Sequence, residues 1–473
     1  MRALLATSIG VTCAAALTLP LAAPAPAVPV PAPVAHAPAA PAAEPSGSTQ
    51  SLPLRPLTDA AARATGEPAD SPSSAAQGLR QRDAQRFSLV GVVWDDADAE
   101  LHGTVQVRAR ASGTGRWSGW QDLETHNTDH AADSGSAERA SGKVRGSTAP
   151  LWVGDSDGVE VRVRSQDAGP RSRAPLPEGL RVELVDPGDD PQQPPTTLTP
   201  TTVTPTTGAP TSVTPVTSPQ PGALPDSAAL GLAAAESSAV NADLAPLGAT
   251  EIPALSKAES EEQAVVAAGA KPFVGPRPRI VTRKGWGADE SIRERAFAYT
   301  TTVKAAFIHH SATGNNYTCS QAPSVLRSIY RYHVKSSGWR DFGYNFAVDK
   351  CGNIYEGRAG GVTKAVLGAH TLGFNSNSMG VAVLGTHSSK NPPAAAVTAI
   401  AKLTAWKLGL FGRNPLGKVT LVSGGSGKYK KGASVKLHVI SGHRDGFATE
   451  CPGIRLYKKL GTARTSSAQL QGR

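Results

Sequence analysis

Hydrophobic and polar residues alternate along several short segments between about residues 86 and 188. These segments read F-S-L-V-G-V-V-W, G-T-V-Q-V-R-A-R, V-E-V-R-V-R and L-R-V-E-L-V, and Gly, Asp and Pro separate them. A period of two residues sends alternate side chains to opposite faces of a β-strand. The pattern therefore predicts a small all-β, sandwich-like domain over residues 86–188.

This predicted domain contains most of the tryptophans of the chain, namely Trp94, Trp117, Trp120 and Trp152. Tryptophans in such a domain pack in the core or at strand edges more often than they bind ligands, and stacking on a carbohydrate is the alternative. No catalytic constellation is visible in this region.

After residue 276, strand-like apolar runs alternate with segments of helical periodicity. Val325 and Ile329, for example, fall on one face of a predicted helix. The predicted strands span residues 305–309, 345–349, 353–356 and 378–384, the predicted helices span 324–335 and 394–408, and residues 418–422 and 435–440 form a predicted hairpin. We therefore predict a mixed α/β domain over residues 276–465, which is large enough for one core.

Two other segments have compositions that argue against a core of their own. Residues 28–85 are rich in Ala, Pro and Ser, and residues 189–275 are rich first in Pro and Thr and then in Ala. Chains of this kind bury too little apolar surface to offset the entropy of folding. We expect residues 28–85 to be disordered and residues 189–275 to form a disordered linker.

The N-terminus has the features of a secretory signal peptide over residues 1–27. Arg2 supplies the basic region, an apolar and small-residue-rich stretch follows, and A-P-A at residues 25–27 offers a cleavage site. The apolar stretch is shorter than the ~20 residues of a membrane span, and no later segment is more apolar. We expect a secreted protein, released or associated with the cell wall, that has no membrane span.

Charge is distributed unevenly between the two halves of the chain. Residues 276–473 contain 29 Lys and Arg against 8 Asp and Glu, a net charge of +21, whereas the whole chain carries +10. A domain this basic favours an anionic polymer as partner, and for a secreted protein the anionic cell wall is the expected one. Nothing resembles a base-reading motif, so we expect no nucleic-acid partner. The alternative is a basic surface that only maintains solubility.

Removal of the signal peptide would leave three cysteines, Cys319, Cys351 and Cys451. An odd number in an exported protein raises the question of which thiol is unpaired. A Cys319–Cys351 disulfide leaves Cys451 free to act as a thiolate ligand, whereas either other pairing would consume it. A disulfide that closes a loop of about 32 residues would stabilise the fold by roughly 3–4 kcal/mol.

The stretch S-G-H-R-D-G-F-A-T-E-C-P-G brings His443 and Cys451 into one loop rich in turn formers, and His309 ends the strand-like run A-A-F-I-H. Imidazole and thiolate are preferred zinc ligands, and three protein ligands that leave one position open are typical of a catalytic site. We hypothesise that these residues meet around Zn2+. A buried, hydrogen-bonded histidine is the plainer interpretation of His309 alone.

Five motifs occur in order between about residues 279 and 459: F-I-H-H-S-A-T, D-F-G-Y-N-F-A-V-D, G-N-I-Y-E-G-R, G-A-H-T-L-G-F-N-S-N-S-M-G-V-A-V-L-G and G-H-R-D-G-F-A-T-E-C-P-G. This set resembles the zinc-dependent N-acetylmuramoyl-L-alanine amidases, the type 2 amidases that share a fold with peptidoglycan recognition proteins. The first half of the chain is similar, much more loosely, to the extension of secreted bacterial members.

The resemblance implies that His309, His443 and Cys451 are zinc ligands and that His310 points to the other face of its strand. It implies catalytic roles for Tyr344 and Thr449, which would orient a metal-activated water or bind the developing oxyanion. The plainer role of Tyr344 is that of a core aromatic.

The resemblance also implies that Arg358, His370 and Asn375 line a groove for the stem peptide. A guanidinium suits a peptide carboxylate because its planar fork binds both oxygens; the alternatives are a solvated Arg and a turn-capping Asn. The implied activity is hydrolysis of the amide bond between N-acetylmuramic acid and L-alanine in peptidoglycan, by a protein that we expect to be monomeric. The alternative function is non-catalytic recognition of peptidoglycan, although binding-only relatives typically lack the ligand that matches Cys451.

Overall fold

A computed structural model describes residues 47–57, 76–125, 128–169, 172–190, 230–268 and 273–473. The predicted signal peptide, residues 1–27, lies outside the described residues, as does most of the Pro/Thr-rich part of the predicted linker. Within the described residues, no helix is both long enough and apolar enough to cross a membrane.

The N-terminal domain is built from antiparallel strands. In chain order they are β1 (Ser48–Pro53), β2 (Arg55–Pro56), β3 (Ala76–Trp94), β4 (Gly103–Ala111), β5 (Gln121–Leu123), β6 (Gly146–Ser147), β7 (Leu151–Ser165), β8 (Asp167–Gly169), β9 (Ser172–Arg173) and β10 (Arg181–Asp186). The sheet order is β1-β10-β3-β7-β4-β5, and β2 and β6 also pair with β3. The prediction of an all-β N-terminal domain is confirmed.

The predicted disorder of residues 28–85 is wrong for two parts of that segment. Ser48–Pro53 pairs residue by residue with β10, so it forms an edge strand. Ala76 is already part of β3, which pairs with β7 from this residue onward. Both strands are stabilised by pairing with residues distant in the chain, which a local composition argument does not include.

The two faces of β3 pack into two different hydrophobic cores. Val90, Val92 and Trp94 pack within the N-terminal domain. Leu89 and Val93, on the opposite face, belong to a cluster with residues of the C-terminal domain. The alternation that predicted this strand therefore also produces the contact between the two domains.

The C-terminal domain is mixed α/β, as predicted. Its elements are α1 (Leu232–Ala239), β11 (Glu251–Ile252), α2 (Lys257–Ala268), β12 (Ile280–Val281), β13 (Ala305–His310), α3 (Ala322–Arg331), a π-helical turn (Tyr332–Ser336), β14 (Phe346–Val348), β15 (Ile354–Glu356), β16 (Ser378–Val383), α4 (Ala394–Gly409), β17 (Lys418–Val422), β18 (Ser434–His438), β19 (Ile440–Gly442), α5 (His443–Gly446), α6 (Ile454–Tyr457) and α7 (Leu460–Gln471). The main sheet has the order β11-β12-β15-β14-β16-β13-β19, and β17 and β18 form the predicted hairpin.

The predicted linker over residues 189–275 is wrong for residues 230–268, because this segment packs on the C-terminal domain. β11 pairs with β12 and extends the main sheet. Ala245, Ile252 and Ala264 are buried in the core of the domain. The segment has no core of its own, but it covers one edge of the core that follows it.

The strand pairing brings two distant parts of the chain to one edge of the sheet. β13 and β19 are parallel neighbours, with Ile308 opposite Gly442. His309 and His443, which each follow one residue later, therefore lie side by side at the carboxyl ends of their strands. The disulfide between Cys319 and Cys351 is present, and Cys451 is the free cysteine of the described residues.

Candidate metal centre

The three predicted ligands meet in one buried cluster, and a fourth residue joins them. One ligand atom each from His309, His443, Cys451 and His130 lies within 4.8 Å of all the others. All four side chains are buried. The first three belong to the C-terminal domain, whereas His130 comes from a loop of the N-terminal domain.

Hydrogen bonds hold one ring nitrogen of each histidine away from the centre. Nδ1 of His130 lies 2.8 Å from the Asp129 carboxylate, and Nε2 of His443 lies 3.1 Å from the Asp129 carbonyl oxygen. Nε2 of His309 lies 3.5 Å from the Thr371 hydroxyl. Partners of this kind fix the tautomer and orientation of metal-binding imidazoles.

The opposite ring nitrogens are left for a ligand. Among the described residues, Nε2 of His130 and Nδ1 of His443 are buried without a hydrogen-bond partner. Nδ1 of His309 lies 3.7 Å from Sγ of Cys451. Buried polar atoms without a partner are costly, and a metal ion at their centre would satisfy all of them. The cluster could therefore hold a metal ion.

The electrostatics of the cluster follow from burial. Burial lowers the pKa of His309 and His443, and the neighbouring histidines add to this effect. Burial and then the charge of Asp129 raise the pKa of the Cys451 thiol. The charged forms are therefore disfavoured, and a metal cation would offset this cost for the thiolate because bound Cys ligands are deprotonated.

The two predicted catalytic residues lie near the cluster. The ring of Tyr344 is buried, with its centroid 5.2 Å from that of His309. Thr449 is half-buried, and its hydroxyl accepts a hydrogen bond from the backbone N–H of Cys451 at 3.2 Å.

The three predicted groove residues are buried and already have partners. Both oxygens of Glu138 bind the Arg358 guanidinium, at 2.8 and 3.0 Å. The Asn375 side chain accepts the backbone N–H groups of His370 and Thr371 at 2.7 and 3.0 Å, which shapes this turn. The ring of His370 lies 5.4 Å from that of His309, so it borders the cluster.

Sequence reasoning missed His130 and Glu138, because no catalytic constellation was visible in the first domain. Both residues lie in the loop between β5 and β6, residues 124–145, of which 126 and 127 lie outside the described residues. A connection this long without regular strands is often functional, and its length is the signal that could have identified it. We call the described residues 128–145 of this connection the β5–β6 loop.

Comparisons with known proteins match two parts of the chain to known families. Residues 299–454 match the N-acetylmuramoyl-L-alanine amidase family, and residues 37–180 match the Rv3811 N-terminal galactose-binding domain-like family. Among solved structures, the chain is similar to Drosophila PGRP-LB, with 26% identity, a TM-score of 0.31 and coverage of 39% of this chain and 93% of that one.

Two curated relatives define the similarity further. Human N-acetylmuramoyl-L-alanine amidase is 30% identical over 211 residues, which cover 43% of this chain and 32% of the human protein. Peptidoglycan-recognition protein SC2 of Drosophila simulans is 31% identical over 185 residues, which cover 39% of this chain and 85% of that relative. With most of such a relative matched, the chain belongs to the family of peptidoglycan recognition proteins and type 2 N-acetylmuramoyl-L-alanine amidases.

Proposed function

We propose that the protein is a zinc-dependent hydrolase that cleaves the amide bond between N-acetylmuramic acid and L-alanine in peptidoglycan. The observation that carries this proposal is the convergence of His309, His443 and Cys451 in one buried cluster beside Tyr344. The matched amidase family supports the same activity.

The donor set fits Zn2+. Imidazole nitrogens and a thiolate are preferred zinc ligands, and tetrahedral coordination with ordinary bond lengths places N and S about 3.6 Å apart. The separation of 3.7 Å between Nδ1 of His309 and Sγ of Cys451 agrees with that value. Bound zinc would lower the pKa of a water ligand and polarise the scissile carbonyl.

Tyr344 and Thr449 would act on the substrate through their hydroxyl groups. A phenol and a threonine hydroxyl each carry one donor proton at neutral pH. The Thr449 oxygen accepts a backbone N–H, and its hydroxyl contact helps to lower the pKa of the Asp129 carboxylate, so its O–H would have to turn from Asp129 to donate to substrate. Both groups are suited to bind the oxyanion that develops on the carbonyl.

Arg358, His370 and Asn375 are proposed to bind the stem peptide, with Arg358 pairing with a peptide carboxylate. Acidic wall polymers are a further proposed partner because the C-terminal part of the chain is strongly basic. The Cys319–Cys351 disulfide favours an oxidising, extracellular site of action, in agreement with the proposed signal peptide.

The test measures release of stem peptides from purified sacculi by the zinc-loaded chain. Because His130 also enters the site, the assay uses wild type and His130→Ala, each with and without Cys451→Ala. We expect chelator to abolish release because it removes the metal, and we expect Cys451→Ala to abolish release in the His130→Ala chain because only two of the four candidate ligands then remain. Release by the chain that carries both His130→Ala and Cys451→Ala, or no release from either zinc-loaded chain that retains Cys451, would refute the proposal.

The competing function is recognition without hydrolysis, and several relatives carry the name of recognition proteins. The same sacculi distinguish the two functions. A recognition protein would sediment with sacculi and leave their stem peptides attached, whereas the proposed enzyme would detach whole stem peptides and leave glycan with fewer of them over time.

A further inference from the structure

The β5–β6 loop of the N-terminal domain lies on the face of the C-terminal domain that carries the metal cluster. The backbone N–H of Leu372 donates to the carbonyl of Asp129 at 2.8 Å, and that of Arg145 donates to the carbonyl of Ser337 at 3.0 Å. These two bonds attach both ends of the described loop to the C-terminal domain.

We propose that the β5–β6 loop holds the protein in a latent form: His130 is a fourth protein ligand of the metal, and Asp133 and Glu138 occupy the peptide-binding groove. This inference rests on the proposed function. It states that the site is blocked at rest and that the β5–β6 loop must leave before substrate enters.

The first argument is the place of His130 in the metal cluster. Its ring centroid lies 4.5 Å from that of His443 and 5.2 Å from that of His309. The Asp129 carboxylate holds Nδ1, so the unpartnered Nε2 is the nitrogen available to the metal. Four protein ligands make a closed site, whereas catalytic zinc sites keep one position open for water or substrate.

The second argument is the ion pair between Glu138 and Arg358. Both side chains are buried, with 6% and 4% of their surface exposed. The pair is bidentate, and Glu138 also accepts the backbone N–H of Arg340 at 3.1 Å. A protein carboxylate therefore occupies the guanidinium that we propose for a carboxylate of the stem peptide. Both ligands cannot bind Arg358 in this way at once.

The third argument is that the loop also occupies Asn375. The Asn375 side-chain NH2 donates to the carbonyl of Ala131 at 3.0 Å and to the Asp133 carboxylate at 2.7 Å. The same carboxylate accepts the backbone N–H of Gly373 at 2.7 Å. The loop thus offers the groove a carbonyl and two carboxylates, the groups that a short acidic peptide would offer.

The fourth argument is that the loop is packed into place. Ala132 and Val144 are buried in a small cluster with Trp339 and Ala369 of the C-terminal domain. A Cβ at Gly338 would lie 1.9 Å from the carbonyl oxygen of Lys143, so glycine permits the close approach of the two backbones. Because these loop residues are buried against the C-terminal domain, the loop is part of the packed interface between the two domains.

The experiment uses the full chain as wild type, His130→Ala and Glu138→Gln, with His102→Ala as a control on an exposed histidine of the same domain. Each protein is loaded with Co2+, and its visible spectrum is recorded with and without azide. We expect azide to alter the spectrum of His130→Ala, because that variant has an open position, and to leave wild type and His102→Ala unchanged.

A second readout is the binding of a fluorescent muropeptide, which does not require turnover. We expect Glu138→Gln and His130→Ala to bind the muropeptide about tenfold more tightly than wild type. The loop would be closed in a smaller fraction of the molecules, and apparent affinity rises with the fraction that is able to bind. Glu138→Gln keeps a polar side chain at Arg358, and His130→Ala tests the loop without touching that pair. Equal muropeptide affinity in all four proteins, with an azide response in wild type, would overturn the latent form.

Release of stem peptides separates this inference from the proposed function. An azide response in His130→Ala and tighter muropeptide binding by both variants, without release by either, would refute hydrolysis and leave the latent form standing. Equal release by wild type and both variants would refute the latent form and support hydrolysis.

Discussion

Glu356 illustrates how one buried side chain can make stability depend on pH. Its carboxylate accepts hydrogen bonds from Asn241 at 2.8 Å and from the backbone of Arg283 at 3.2 Å. Burial nevertheless raises its pKa from 4.5 to about 7. The folded state therefore holds this proton more tightly than the unfolded chain does.

The raised pKa predicts that Glu356 favours folding most at pH below about 4.5 and that this contribution is lost as the pH rises through about 7. The full effect is on the order of 3 kcal/mol. We expect Glu356→Gln to lose less stability than wild type between pH 5 and pH 8, as measured by urea unfolding. Glu262→Gln, at an exposed position of α2, is the control. If Glu356→Gln shows the same change in the free energy of unfolding between pH 5 and pH 8 as wild type, the raised pKa of Glu356 is not the cause of that change.

Single residues were predicted from sequence where a motif identifies them, but their partners were not. His309, His443 and Cys451 meet in one buried cluster with Tyr344 beside it, whereas Arg358 pairs with Glu138. The expectation that Arg358 is either a peptide contact or a solvated residue did not include a buried partner in the same chain. A motif records the chemistry of one residue, whereas Glu138 lies 220 positions away in sequence.

At the scale of elements, β3 packs against the π-helical turn at Gly91, where the absence of a side chain leaves room for the ring of Tyr332. A Cβ at Gly91 would lie 2.4 Å from the hydroxyl oxygen of Tyr332. That hydroxyl donates to the carbonyl of Thr148 at 3.0 Å, so the ring is held from both sides. The contact between the two domains therefore depends on glycine at this position.

We expect Gly91→Ala to reduce the free energy of unfolding by about 1–3 kcal/mol, because overpacking forces the buried Tyr332 ring to move. Urea unfolding of the full chain measures the change. Gly113→Ala is the matched control, since a Cβ there meets nothing within 4 Å. Equal unfolding midpoints for both variants would mean that the interface adapts without cost.

Elements were predicted well where their own residues carry a local signal and poorly where the partner stabilises them. β13 is a continuous apolar run, α4 is a long apolar segment that ends at Gly409, and the strands of the β17–β18 hairpin alternate between apolar and polar residues; all were predicted nearly to their ends. Strands of two residues, such as β11, have too few positions to show a period. Such short strands are held by backbone hydrogen bonds to strands that become their neighbours only when the chain folds.

At the scale of the whole molecule, the candidate metal centre combines two domains that sequence analysis treated separately. His130 and His309 belong to regions with different periodicity and composition, and no local pattern links them. The packing of β3 against the C-terminal domain, together with the contacts of the loop itself, brings the β5–β6 loop to the cluster. A contact of this kind depends on how two surfaces fit, which the pattern of either segment leaves undetermined.

Positive charge also determines binding at the scale of the whole molecule, and several exposed lysines lie on the β17–β18 hairpin. Lys430, Lys431 and Lys436 are exposed there. Adjacent cations bind an anionic polymer more strongly than the same number of dispersed cations, and the attraction weakens as salt shortens the screening length to about 3 Å at 1 M. We predict that this hairpin binds acidic wall polymers.

Sedimentation with sacculi that carry teichoic polymers measures this binding. We expect substitution of all three hairpin lysines by Gln to lower the bound fraction of the full chain at low salt. Substitution of the exposed and dispersed Lys390, Lys402 and Lys458 removes the same charge and should have a smaller effect. We also expect high salt, or sacculi stripped of teichoic polymers, to remove the difference between the two triple variants. Binding that is independent of salt and equal in both would assign wall attachment to the groove rather than to the charge of the domain.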